Sequence, residues 1–296
     1  MIHLKKLWRK GRFLLFFLLC FAALDTALSQ ICPGLFDDGW FYLNDYEVTR
    51  RDHPEEVWDR VIFGNSTVIA AYREDVGDSH YVNLGVDYGV VRDLWEMLRQ
   101  GEITVGSDLV LGLNYLTLYD NFDTNPTYPW HRGPLEPYCY FQRDRLYTVV
   151  RETVKTAIGR GGGAPEYVGQ GKIVYHGSLS DAALMENAQV YRENYSDLPL
   201  SDFSENLAAL EQVAAYCAEE GIHLRVVWMP WNPNVEAPAL AQEVRRQAEE
   251  VLAPYGVEAL DLSNTFDESC FYDVGHLNYE YGAYRFMEVM DPWLLS

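Results

Sequence analysis

An α/β fold on a mainly parallel five-stranded sheet is what this chain predicts, and two observations carry it. Apolar runs of strand length alternate with stretches whose apolar residues recur at helical spacing. Small or polar residues (Gly64-Asn65-Ser66, Gly85, Asn114, Pro230) stand directly after those runs. In open sheets of this kind, ligands bind beyond the carboxyl ends of the strands.

The elements follow in order. Residues 31–56 read as an irregular, aromatic-rich lead-in. Arg60–Phe63 is the first strand, ending at Gly64-Asn65-Ser66, and His80–Leu84 is the second, ending at Gly85. Tyr88–Arg99 reads as a helix with Val91, Leu94, Trp95 and Leu98 on one face. Asp108–Leu113, Ile222–Met229 and Val257–Leu262 are the third, fourth and fifth strands. Ser204–Glu220, Ala237–Leu252 and Asn278–Met290 are helices. Residues 120–200 interrupt the alternation with Tyr, Pro and Gly, including Gly159-Arg160-Gly161-Gly162-Gly163, and read as a lid-like insertion.

Charge narrows the partners. The 296 residues carry a net charge of −21. Five of the 23 basic residues fall in the first twelve positions, leaving 18 against all 44 acidic ones, a net −26 for residues 13–296. Such a body lacks the basic footprint of a nucleic-acid binder. The basic block (Lys5, Lys6, Arg9, Lys10, Arg12) precedes the apolar run Phe13–Leu24, interrupted by Asp25. This pattern marks residues 1–30 as a signal-anchor or a cleaved signal peptide, the anchor being favoured. Either way, 31–296 is expected outside the cytoplasmic membrane: a single-pass membrane protein, or a secreted one if the segment is cleaved. Cys32, Cys139, Cys217 and Cys270 allow three pairings, and Cys217, among Leu210, Val213 and Ala214, reads as a buried thiol.

The chemistry concentrates near the C-terminus, in Asp273-Val274-Gly275-His276-Leu277-Asn278. A carboxylate three residues before a histidine can hold the imidazole tautomer while the imidazole takes a proton from a hydroxyl. Ser66, in a Gly-x-Ser turn at a strand end, is the candidate hydroxyl. The N–H groups of Ser66 and Gly85 and the amide of Asn114 are candidate donors to an oxyanion. Trp231 and Asn232, after the fourth strand, are candidate substrate contacts. Trp228, Trp130 and Tyr128 fit either a glycan cleft or ordinary packing. The glycine-rich run lacks the Gly-Lys-Ser/Thr of a phosphate loop, and the remaining histidines have no metal-ligand spacing, so neither cofactor nor metal is expected.

The order Gly64-Asn65-Ser66, Gly85, Asn114, Asp273-Val274-Gly275-His276 resembles the four blocks of the SGNH/GDSL hydrolase superfamily, across roughly residues 57–292. The resemblance implies a flavodoxin-like three-layer sandwich. It also implies Ser66 as nucleophile, His276 as base, Asp273 as its partner, and Gly85 with Asn114 in the oxyanion hole. Two positions depart from the pattern: Asn65 where the first block has Asp, and Tyr115 where the third has Asp. The His-Leu-Asn ending after a membrane segment is similar to the DltD-like and alginate-acetylation-like branch, which acts in cell-envelope acyl transfer alongside membrane-bound O-acyltransferases. The implied function is a membrane-anchored extracytoplasmic serine acyltransferase or esterase acting on a cell-envelope polysaccharide or teichoic-type polymer. The alternative is a non-catalytic protein of the same fold that binds carbohydrate or partners a membrane O-acyltransferase.

Overall fold

The computed structural model describes residues 2–31, 45–122, 128–131, 154–155, 157–159 and 172–296. About half of the predicted insertion, its glycine-rich run beyond Gly159, and Cys32 and Cys139 lie outside the described residues. The chain divides into two units, Met1–Leu43 with His131–Gln170, and Asn44–Trp130 with Gly171–Ser296. The first contributes helix α1 (Ile2–Ile31). Its apolar stretch Phe13–Leu24 would run about 18 Å at 1.5 Å per residue, against roughly 30 Å of bilayer hydrocarbon. Among the described residues, no helix is long and apolar enough to cross a membrane.

The second unit holds a single all-parallel sheet. Its strands are β1 (Trp58–Gly64), β2 (Val82–Gly85), β3 (Val105–Leu113), β4 (His223–Trp228) and β5 (Glu258–Asp261), in the order β2-β1-β3-β4-β5. Side chains alternate across a strand, and both faces of the inner strands are buried, as parallel sheets require. Val61, Phe63, Leu109, Leu111 and Val226 pack with α4 (Val91–Gln100), α6 (Ser204–Glu220) and α7 (Ala239–Leu252). Ile62, Val110 and Val227 pack oppositely, with α3 (Ser66–Ala71) and α8 (Gly282–Leu294). This is the α/β fold on a parallel sheet that the alternating pattern predicts, arranged as a three-layer sandwich, and Cys217 lies buried in the first of these two cores.

Several boundaries differ from the sequence reading. The lead-in contains a helix, α2 (Asp45–Asp52), and the insertion contains another, α5 (Asp181–Tyr195). Helix α4 begins at Val91 rather than Tyr88, because Tyr88 adopts φ +54°, outside the helical region.

One local feature sets the site. Gly64, Gly85 and Gly112 lie level with one another at the carboxyl ends of β1, β2 and β3. Helix α3 rests on that row. A Cβ at Gly64 or Gly112 would come within 2.3 or 2.2 Å of Val68 Cγ2, and one at Gly85 within 2.8 Å of the Ile69 nitrogen. Only glycine permits so close an approach, and the approach puts the first residue of α3, Ser66, directly over the strand ends.

Candidate active site

Asn65 begins the site. Its side-chain oxygen caps α3, accepting from the Thr67 N–H at 3.0 Å and the Thr67 hydroxyl at 2.7 Å. A cap needs one acceptor oxygen, so Asn65 supplies what an aspartate would there. Ser66 follows as the first helical residue, where backbone N–H groups have no partner within the helix. Asn114 comes from the end of β3. Its Oδ1 accepts from the N–H groups of Leu116 and Thr117 at 2.9 and 3.1 Å, which directs Nδ2 to the Thr67 hydroxyl at 3.3 Å. Thr67 thus joins the Ser66 turn to the Asn114 amide, a link that no motif marks.

The loop before α8 carries the candidate base. His276 Nε2 lies 2.8 Å from Ser66 Oγ, and Nδ1 lies 2.8 and 2.9 Å from the two Asp273 oxygens. Ser66, His276 and Asp273 therefore form one continuous chain. Asp273 Oδ1 also accepts from the N–H groups of Gly275 and His276, at 3.0 and 2.9 Å. Burial pushes the Asp273 carboxyl up, but the His276 ring and these two N–H groups outweigh it and hold the group below its ordinary value. The carboxylate stays ionised where an imidazolium would need it.

The loop is pinned from three sides. Asn278 donates to the Cys270 and Ser269 carbonyls at 2.9 and 2.7 Å, and its Oδ1 accepts from Tyr281 and Gly282 at the start of α8. Asn232 donates through its side chain to the Asp273 carbonyl at 2.9 Å and through its backbone to the Val274 carbonyl at 2.9 Å. From the third side, residues 172–180 cross the loop. Tyr175 lies flat on the His276 ring, with centroids 4.2 Å apart and planes at 17°, while Leu179 N–H donates to the Tyr272 carbonyl at 2.8 Å. Nothing in the sequence distinguishes Tyr175 from the other twenty tyrosines.

Two expectations are corrected. Gly85 is not an oxyanion donor: its N–H donates to the Asn83 side chain at 2.9 Å, and its lack of a side chain serves the seating of α3. The adjoining turn reaches the site instead, through Tyr88, which lines the space beside Ser66. Asn232 is buried with its polar atoms committed to the His276 loop and to the Asn234 N–H, so its side chain holds the Asp273 loop, and toward the neighbouring space it adds only a wall. Trp231 does border the Ser66 space, tilted against Tyr115 and edge-on to Tyr191. Tyr128 and Trp130 are core residues, stacked at 4.6 Å. Behind the turn, burial and the Asp45 carboxylate push the Asp87 carboxyl up, against the pull of His276.

The space at Ser66 is small, about 40 Å³, with Tyr88, Phe122, Tyr191 and Pro230 among its walls. Among the described residues, no group of three or more His, Cys, Asp or Glu side chains converges on one point, and Cys217 and Cys270 carry free thiols. The sequence matches no protein-family model, and no curated protein matches it at a significant level.

Proposed function

We propose that this protein is a serine-dependent enzyme that moves or removes an ester-linked acyl group. The observation that carries the reading is the unbroken Ser66–His276–Asp273 chain, with both links at hydrogen-bond distance. A serine hydroxyl is a poor nucleophile until a base takes its proton. With its own proton on Nδ1, facing Asp273, His276 presents Nε2 to Ser66 as that base.

The steps follow from the geometry. Ser66 Oγ bonds to the ester carbonyl carbon as its proton passes to His276 Nε2. Asp273 stabilises the resulting imidazolium. The carbonyl oxygen, now negative, faces the Ser66 N–H and Asn114 Nδ2 as donors. The carbon–oxygen bond to the alcohol then breaks, the alcohol leaves with the proton from Nε2, and the acyl group stays on Ser66. Water or a second hydroxyl attacks that acyl group, again giving its proton to Nε2, and the Ser66 hydroxyl is restored. Water makes the enzyme an esterase, and another hydroxyl makes it a transferase. The small space beside Ser66 supports a short acyl group.

The resemblance to SGNH/GDSL hydrolases, and within them to the envelope branch, supports a cell-envelope glycan or related polymer as substrate and a membrane O-acyltransferase as partner. The basic block before Phe13–Leu24 supports an extracytoplasmic placement through the N-terminal segment. The test of the enzyme reading is a fluorophosphonate probe. It should label the wild-type protein and not Ser66→Ala. Absence of labelling in a folded wild type, or equal labelling of both, would overturn it.

A further inference from the structure

A second space opens beside the Ser66 site. It measures about 590 Å³, within the usual range of small-molecule sites. It lies between the loop after β4, the start of β3's exit turn and helix α7, and two of its wall residues, Asn114 and Trp231, also wall the Ser66 space. A molecule held there therefore lies against the same side chains that border the nucleophile.

Its chemistry is specific. Trp228, Trp231 and Tyr115 give it aromatic surface, and the buried indole N–H of Trp228 has no acceptor on the protein. Gln242 and Asn264 bring amides and Glu236 a carboxylate. All three are exposed, and none is tied to a partner in the protein. Amides and carboxylates offer both donors and acceptors to hydroxyl groups, and aromatic rings cover the apolar faces of a ring with polar edges.

The cations of the cleft are already spent. Arg245 donates to Glu249 at 2.7 Å and to Asp261 at 2.8 Å, and its guanidinium lies 4.8 Å above the Trp228 ring. Arg246 grips Glu243 through two nitrogens, at 3.0 and 2.6 Å, and pairs with Glu250 through the third. A bidentate grip on a carboxylate or phosphate uses an uncommitted guanidinium fork, and neither arginine of this cleft offers one. Glu249 is paired with Arg245, and the unpaired carboxylate of Glu236 lines the cleft on a chain of net charge −21, which disfavours a polyanion.

We propose that this cleft binds a neutral, hydroxyl-rich sugar chain, the part of the substrate that carries or receives the acyl group at Ser66. The assignment rests on the enzyme reading above for its purpose, though not for its binding. It excludes uronate-rich and phosphate-linked polymers, including the teichoic type.

The test uses the full chain carrying Ser66→Ala, so that nothing turns over, with tryptophan fluorescence and calorimetry as readouts. The probes are four neutral hexaoses (of glucose in α and β linkage, of mannose, and of N-acetylglucosamine), hexagalacturonate, and poly(glycerol phosphate), all at low salt, where any attraction of polyanions is strongest. At least one neutral hexaose should bind saturably below ~10 mM and at least about tenfold more tightly than either polyanion. Its affinity should fall about tenfold in Trp231→Ala and in the exposed pair Gln242→Ala with Asn264→Ala. The inference is overturned if no neutral hexaose binds, if a polyanion binds as well, or if the double substitution leaves affinity unchanged. Fluorophosphonate labelling of the wild type separates the two readings. Labelling without sugar binding sinks the cleft alone, and sugar binding without labelling sinks the enzyme reading alone.

Discussion

The Ser66 side and the His276 side of this site are built in opposite ways. The Ser66 side is local: Asn65, Ser66 and Thr67 are consecutive, and they sit on a row of three glycines at adjacent strand ends. The His276 side is assembled from a distance. Asp273 and His276 are three residues apart, but the loop between them is held by Asn232 from the loop after β4, by Tyr175 from the segment crossing it, and by Asn278 just before α8. A short turn over glycine fixes a hydroxyl with backbone geometry alone. An imidazole that must face two partners needs outside support, because its ring is free to rotate unless something flanks it.

The contrast can be broken first at the acid that orients the base. Asp273→Asn keeps the shape but exchanges an acceptor for an amide that cannot stabilise the imidazolium. Turnover of an activated ester should fall by up to about four orders of magnitude if the serine-protease template holds. A steady-state rate within tenfold of wild type would mean that the carboxylate does not serve the base. The same substitution reads out in stability. Since Asp273 titrates lower in the folded chain than its ordinary value, it stabilises the fold fully above the unfolded carboxylate value, and this contribution is lost as pH falls through the folded one. Acid unfolding of Asp273→Asn, followed by circular dichroism, should lack that part of the acid slope.

The Ser66 side is tested at its floor. Gly64→Ala places a methyl 2.3 Å from Val68 Cγ2 and 2.9 Å from the Gly112 carbonyl oxygen. Overpacking of this kind costs about 1–3 kcal/mol, so urea denaturation should show a lowered midpoint together with lost activity. An unchanged midpoint would show that α3 does not press on the glycine row. Asn232→Ala tests the long-range support. It removes a donor from a buried carbonyl, a loss of about 1–3 kcal/mol, and kcat should fall with little change in KM for a small ester. A change confined to KM would make Asn232 a substrate contact after all. Smallest is Tyr175→Leu, which removes a stack worth about 0.5–1.5 kcal/mol. The kcat–pH profile should move, and Tyr175→Phe, which keeps the ring, should restore it.

How far the sequence could be read follows the same division. Strands β1 to β4 were legible because buried parallel strands are short apolar runs, while β5 is a mostly exposed edge strand, and α6 is legible end to end as Ser204–Glu220. Ser66, Asp273 and His276 were legible because the Gly-x-Ser turn at a strand end and the Asp-x-x-His loop carry their spacing with them. Helix α2 was not, since Asp45–Asp52 is mostly polar and is held by the burial of Tyr46, Val48 and Thr49. The last turn of α8 was not either. Pro292 argues for a stop, yet the helix continues to Leu294, where Arg225 donates to the Trp293 and Leu294 carbonyls at 2.7 and 3.2 Å. Gly85 misled because a glycine needed for close packing has the same spelling as one needed for a free N–H. Tyr175 and Asn232 act across long sequence separations, which no local pattern records.

The central claim is that Ser66 is a hydroxyl activated by His276. Its most direct test is the hydrolysis of p-nitrophenyl acetate by the wild type and by Ser66→Ala, with folding checked by circular dichroism. Only one oxygen is removed, at a half-buried helix start, so the variant should fold as the wild type does and show no turnover above the uncatalysed rate. A folded Ser66→Ala that hydrolyses the ester at the rate of an active wild type would contradict the account.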